Sequence, residues 1–154
     1  MPPTRSAAFE AWAAGYGVIR HAPETVGRIE ALAERLCHRD EAGLDRFYRL
    51  LAAADRLTSA GMWMVAHMTY ARRVDLTGAD LPAEAFKPRP EGHTGGSLNM
   101  VPAFVGYLVA NALSGVTRSW VMGQGHCVAA IEAVNALTGD VSPAQRGRYD
   151  RSEA

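Results

Sequence analysis

One stretch of this chain reads as a β-strand, and it constrains the fold more than any other feature. Residues 117–122 are short and rich in apolar side chains. They run straight into Gly123-Gln124-Gly125-His126. A helical pattern follows, with Val128, Ile131, Val134 and Leu137 on one face and Gly139 as its stop. Strand, glycine-rich turn and helix make half of a parallel α/β unit. A single strand has no ladder, so its partners must lie in another polypeptide or in further sequence. The expectation is a helix-rich front part of a doubly wound parallel sheet domain, class α/β, incomplete at 154 residues.

Elsewhere the periodicity is helical. Phe9, Trp12, Ala13 and Tyr16 predict a short helix over residues 5–16, and Gly15 and Gly17 loosen the chain after it. Thr25 is placed to cap a second helix with Val26, Ile29, Leu32, Ala33 and Leu36 as its apolar stripe. Its other face, with Arg28, Glu30, Glu34 and Arg35, reads as solvated surface. A third helix is expected over residues 44–57, facing inward with Leu44, Phe47, Leu50, Leu51 and Ala54. Residues 59–73 continue the pattern through Met62, Val65 and Met68/Thr69, weakened locally by Gly61. Trp63 and His67, four apart, read as core or interface packing.

From residue 74 to 90 the pattern breaks at Gly78, Pro82, Pro88 and Pro90, which predicts a connecting loop. Leu98, Val101, Phe104, Val105, Leu108 and Val109 then mark a helix ending near Ser114-Gly115, expected to be buried on several sides because it carries almost no charge. Residues 140–154 hold little apolar content beyond Val141 and Tyr149 and supply no closing element. The domain division expected is a helical extension over 1–40 and the main domain over 41–154.

Sixteen Lys and Arg balance sixteen Asp and Glu, so no basic field points to nucleic acid or an acidic membrane. Cys37 and Cys127 form no CxxC pair and fit a reducing cytoplasm as small core residues. The first residues are too polar for a signal peptide, and no segment is expected to reach the length of a membrane span. The expectation is a cytoplasmic chain.

The chemistry concentrates at two glycine-flanked histidines, Glu91-Gly92-His93-Thr94-Gly95-Gly96 and Gly123-Gln124-Gly125-His126. Each stands where a loop turns into an apolar helix. Imidazole hydrogen-bonds anionic or hydroxylated ligands, glycine lets backbone approach them, and a helix start offers unpaired N–H groups to phosphate. The two starts are expected to converge on one phosphorylated ligand; each is equally readable as a tight turn with an incidental histidine. Lys87-Pro88-Arg89 is in reach of a phosphate or is solvated surface. No metal site is expected, because the pair lacks a third ligand and no HxH or HExxH spacing exists.

The run from Phe86 to Gly95 (Phe-Lys-Pro-Arg-Pro-Glu-Gly-His-Thr-Gly), then Leu98-Asn99, then Gly123-Gln124-Gly125-His126, resembles the N-terminal part of the phosphoketolases, in the transketolase-like superfamily of thiamine-diphosphate enzymes. The resemblance spans about residues 41–140 and is strongest from Phe86 onward. It implies a lyase acting on a ketose phosphate, xylulose 5-phosphate or fructose 6-phosphate, with thiamine diphosphate and Mg²⁺ as cofactors and inorganic phosphate consumed to give acetyl phosphate. By the same resemblance His93 and His126 are catalytic, with His93 near the diphosphate and His126 on the donor's hydroxyls. The resemblance further implies that Gly92, His93, Gly123, Gln124 and Gly125 line the cofactor. The full-length protein is expected to be a homodimer.

Thr94 stands where that family carries tryptophan, Gln124 where it carries proline, and Cys127-Val128 where it carries two glycines. These departures imply a divergent branch, including one with xylulose 5-phosphate epimerase activity. The GDG…N segment that anchors Mg²⁺ is expected downstream of this chain, so the chain alone is expected to be inactive. Two alternatives stay open: a non-catalytic helical binding module, and one subunit of a split transketolase.

Overall fold

Apolar side chains spaced three and four apart become five α-helices in the computed structural model, which describes residues 6–37, 40–75, 77, 79–139, 142–144 and 146. They are α1 (Ala7–Ala13), α2 (Pro23–Cys37), α3 (Glu41–Tyr70), α4 (Thr94–Ser114) and α5 (Val128–Thr138). Single 3-10 turns occupy Ala83–Ala85 and Gly125–Cys127. The expectations for Arg5, Gly78 and residues 140–141 and 147–154 lie outside the described residues.

The α/β expectation is overturned. No strand or sheet forms among the described residues, which are helix-rich, so this is not a doubly wound parallel sheet domain. Residues 117–122 are irregular, and Val121 is 90% exposed. The physical reason is that a strand draws its stability from a neighbour's hydrogen bonds and from packing on a sheet face. Neither a ladder nor a sheet face is present among the described residues. Trp120 of this stretch instead lies against Phe104 of α4, centroids 5.4 Å apart.

The chain divides into two compact units, Met1–Ser59 with Gly106–Thr117, and Ala60–Val105 with Arg118–Ala154. The first is built on aromatic packing. Phe9, Trp12, Ala33, Phe47 and Tyr48 form its buried centre, with Val26, Ile29, Leu32, Leu44 and Leu51 packed around them. Phe9 meets Tyr48 edge-on, centroids 5.1 Å apart at 90°, a geometry that brings a positive ring edge to a negative ring face. Ser6 starts α1 by accepting the Phe9 N–H at 3.2 Å, satisfying one of the orphan donors of the first turn. Gly15 at φ +72° allows the following turn: a side chain there would collide with the Ile19 carbonyl. His21 Nε2 is 2.8 Å from Asp55 Oδ2, both largely buried, and the His21 ring lies over Trp12 at 4.7 Å.

The second unit is aliphatic. Val65, Val101, Ala130, Ala133 and Val134 are completely buried. Gly61 explains how these helices come so close, because a Cβ there would stand 3.0 Å from Val101 Cγ1 and 3.5 Å from Val134 Cγ2. The residue that weakens the helix by propensity is therefore the one that lets α4 and α5 pack on it, and α3 runs unbroken for 30 residues.

α4 departs from expectation in two ways. Buried residues Ser97, Val101, Phe104 and Val105 mark one stripe, while Asn99, Pro102, Ala103, Gly106 and Ala110 are exposed. It is thus buried along one side rather than several. With 21 residues and no Asp, Glu, Lys or Arg, it is also long and apolar enough by length and composition to cross a membrane, against the expectation that no segment reaches that length.

Candidate functional site

Both histidines fall in the second unit, and their rings meet. The His93 and His126 ring centroids are 4.5 Å apart at an interplanar angle of 45°. Both side chains are exposed to solvent. His93 is the residue immediately before α4, and its carbonyl accepts the Ser97 N–H at 3.0 Å to begin that helix. His126 is the middle residue of the Gly125–Cys127 turn that leads into α5.

Three residues bring the second turn onto the first turn of α4. Gly96 leaves the space: a Cβ there would stand 3.1 Å from Cys127 Sγ and 3.4 to 3.5 Å from His126 Cδ2 and Nε2. Cys127, 1% exposed, anchors the turn and donates its thiol hydrogen toward Gln124 Oε1 at 3.6 Å. Ser97, also buried, donates from Oγ to the His126 carbonyl at 3.4 Å. The His126 imidazole consequently lies over the first turn of α4, beside backbone whose first N–H groups have no intrahelical acceptor.

The His93 side is held from α3. Thr69, buried near its end, donates from Oγ1 to the Val65 carbonyl at 3.1 Å and accepts from Thr94 Oγ1 at 3.2 Å. Gly92 has φ +120°, open to glycine and strained for other residues. Ahead of it, Lys87 Nζ donates to the Met68 carbonyl at 2.6 Å, and the Lys87 backbone N–H donates to the Tyr70 carbonyl at 2.9 Å. Lys87 thus caps the C-terminal end of α3, where unpaired carbonyls and the negative end of the helix dipole favour a cation. The Lys87 ammonium is engaged with the protein's own helix end, while Pro88 beside it is exposed. Arg89 is exposed.

The remaining predicted residues are placed differently. Gly123 and Gly125 have no positive φ, and an added Cβ at either would meet nothing within 4 Å. Neither is required by the protein's own packing. Gln124 turns its amide oxygen to the Cys127 thiol. Among the described residues no group of three or more His, Cys, Asp or Glu is arranged to hold a metal ion. Two neighbouring imidazoles beside a helix start can donate to or accept from an oxygen-rich ligand and move a proton on it. They do not make a diphosphate–Mg²⁺ anchor.

Thr69, Ser97 and Gly96 carry the arrangement. The sequence names Thr69 only as part of a helical stripe and Gly96 only as a flank of His93, and it does not name Ser97. A hydroxyl in an otherwise apolar helical stripe is the signal for Thr69 and Ser97. The space that Gly96 leaves for Cys127 and His126 has no signal, since those neighbours are distant in the chain.

No family model, curated protein or solved structure matches this chain.

Proposed function

We propose that His93 and His126 form one binding site for a ketose phosphate, of the xylulose 5-phosphate class, within a phosphoketolase-like enzyme that depends on thiamine diphosphate. The contact of the two rings carries the reading. Two glycine-flanked imidazoles, distant in the chain, converge at the start of one helix, where a phosphorylated, hydroxyl-rich ligand finds hydrogen-bond partners. In this reading the imidazoles bind and orient the sugar and move protons on its hydroxyls. The described residues do not fit the cofactor's metal anchor, so the chain supplies the histidine part of the site and no step is assigned to the cofactor here.

The helix-rich, strand-free character of the described residues favours a second reading, a helical binding module that takes the ligand without turning it over. NMR titration of the chain with xylulose 5-phosphate, with inorganic phosphate as the control, tests the binding shared by both. The His93 and His126 ring signals are expected to shift saturably, and His126→Ala to weaken the response at least about tenfold, roughly 1.4 kcal/mol. No shift with the sugar phosphate would sink the proposal. An identical response to phosphate alone at equal concentration would remove the sugar from it. Turnover by the chain supplemented with thiamine diphosphate and Mg²⁺ would overturn the assignment of an incomplete site.

A further inference from the structure

Neither imidazole of the pair makes a hydrogen bond to the protein among the described residues, so the rings are aimed by backbone alone. His126 is aimed by its short turn, pinned through Cys127 and Ser97. His93 has no such turn. It sits between Gly92, at φ +120°, and Thr94, the first residue of α4. His93 is therefore held on its C-terminal side, by the Ser97 N–H on its own carbonyl and by whatever fixes Thr94. The Thr94 hydroxyl donates to Thr69 Oγ1, and Thr69 in turn donates to Val65 O, so its hydroxyl hydrogen is committed to α3 and a lone pair is left for Thr94. Thr69 is buried, so its hydroxyl is held in place by the core of the unit and offers Thr94 a fixed acceptor. A Cβ at Gly92 would stand 3.7 Å from the same oxygen, which places both residues flanking His93 against one buried hydroxyl.

We propose that Thr69 is a positioning residue for the histidine pair: through Thr94 it holds the His93 ring against His126. The inference rests on the reading of the two histidines as one site. It needs no ligand to test, so its failure and the failure of the ketose phosphate assignment are separate events.

The experiment is a nuclear Overhauser measurement between His93 and His126 ring protons on ¹³C-histidine-labelled chain. A cross-peak is expected in the unaltered chain and in Thr69→Ser, which keeps the hydroxyl. It is expected to vanish in Thr69→Val, which keeps the branched shape and a helix-compatible side chain without the acceptor. Thr94→Val is expected to lose it as well, and the Thr69→Val/Thr94→Val double variant to differ no further from either single one, because both break the same bond. Far-UV circular dichroism should be unchanged throughout. If Thr69→Val fails to fold, Thr94→Val carries the test alone, since Thr94 is only half-buried. Retention of the cross-peak in Thr94→Val, its loss in Thr69→Ser, or its absence from the unaltered chain would each overturn the proposal.

Discussion

At residue 96 an added methyl group would meet two neighbours that answer differently. Cys127 Sγ, 3.1 Å away, is buried, whereas the His126 ring, 3.4 to 3.5 Å away, is exposed. Gly96→Ala gains up to about 1 kcal/mol of helix propensity in α4, and crowding against Cys127 offsets much of it. The expected result is a melting temperature within a few degrees of the unaltered chain, together with a weakened response of the histidine signals to xylulose 5-phosphate. Gly95→Ala is the control, because an added Cβ there meets nothing within 4 Å. It should raise the melting temperature and leave the ligand response intact. Equal loss of response in both variants would show that Gly96 is not where the ring is accommodated. The same comparison explains what the sequence conveyed at this scale. His93 and His126 announce themselves by residue type and glycine flanks. Their contact is invisible in the chain, because it depends on the space left by a glycine and on a hydroxyl contributed by a third helix.

Among the elements, the helices were legible because each repeats its apolar spacing over several turns. The sequence reads α3 as two pieces, 44–57 and 59–73, the second weakened locally by Gly61; the structure runs through as one helix. Propensity counts about 1 kcal/mol against glycine, but packing against Val101 and Val134, both completely buried, outweighs that and requires the small residue. Residues 117–122 failed for the opposite reason: a short apolar run reports that some side chains are buried and says nothing about a ladder. Substitutions separate propensity from packing. Gly106→Ala, on the exposed side of α4 with nothing within 4 Å of its Cβ, is expected to stabilise by roughly 0.5–1 kcal/mol. Gly61→Ala is expected to destabilise, since the added Cβ stands 3.0 Å from Cγ1 of the completely buried Val101 and overpacking a core costs about 1–3 kcal/mol. Urea unfolding of both variants checks the sign. A stabilised Gly61→Ala would mean that the helices of this unit are packed more loosely than the Gly61–Val101 distance implies.

For the whole molecule, charge rather than shape decides behaviour in solution. Sixteen basic residues oppose sixteen acidic ones, and the isoelectric point lies near 7.0. Near neutral pH there is therefore little net repulsion to keep copies apart. Exposed apolar side chains, among them Trp63, Tyr70, Phe86, Val116 and Val121, give them a reason to meet. Val121, 90% exposed, is the side chain on which the two terms can be separated. Val121→Glu adds net charge and removes exposed apolar surface at once, and is expected to raise solubility against polyethylene glycol at pH 7. Val121→Gln removes the apolar surface without adding charge, so its gain should be smaller. Equal gains in the two variants would mean that association is governed by the apolar surface alone.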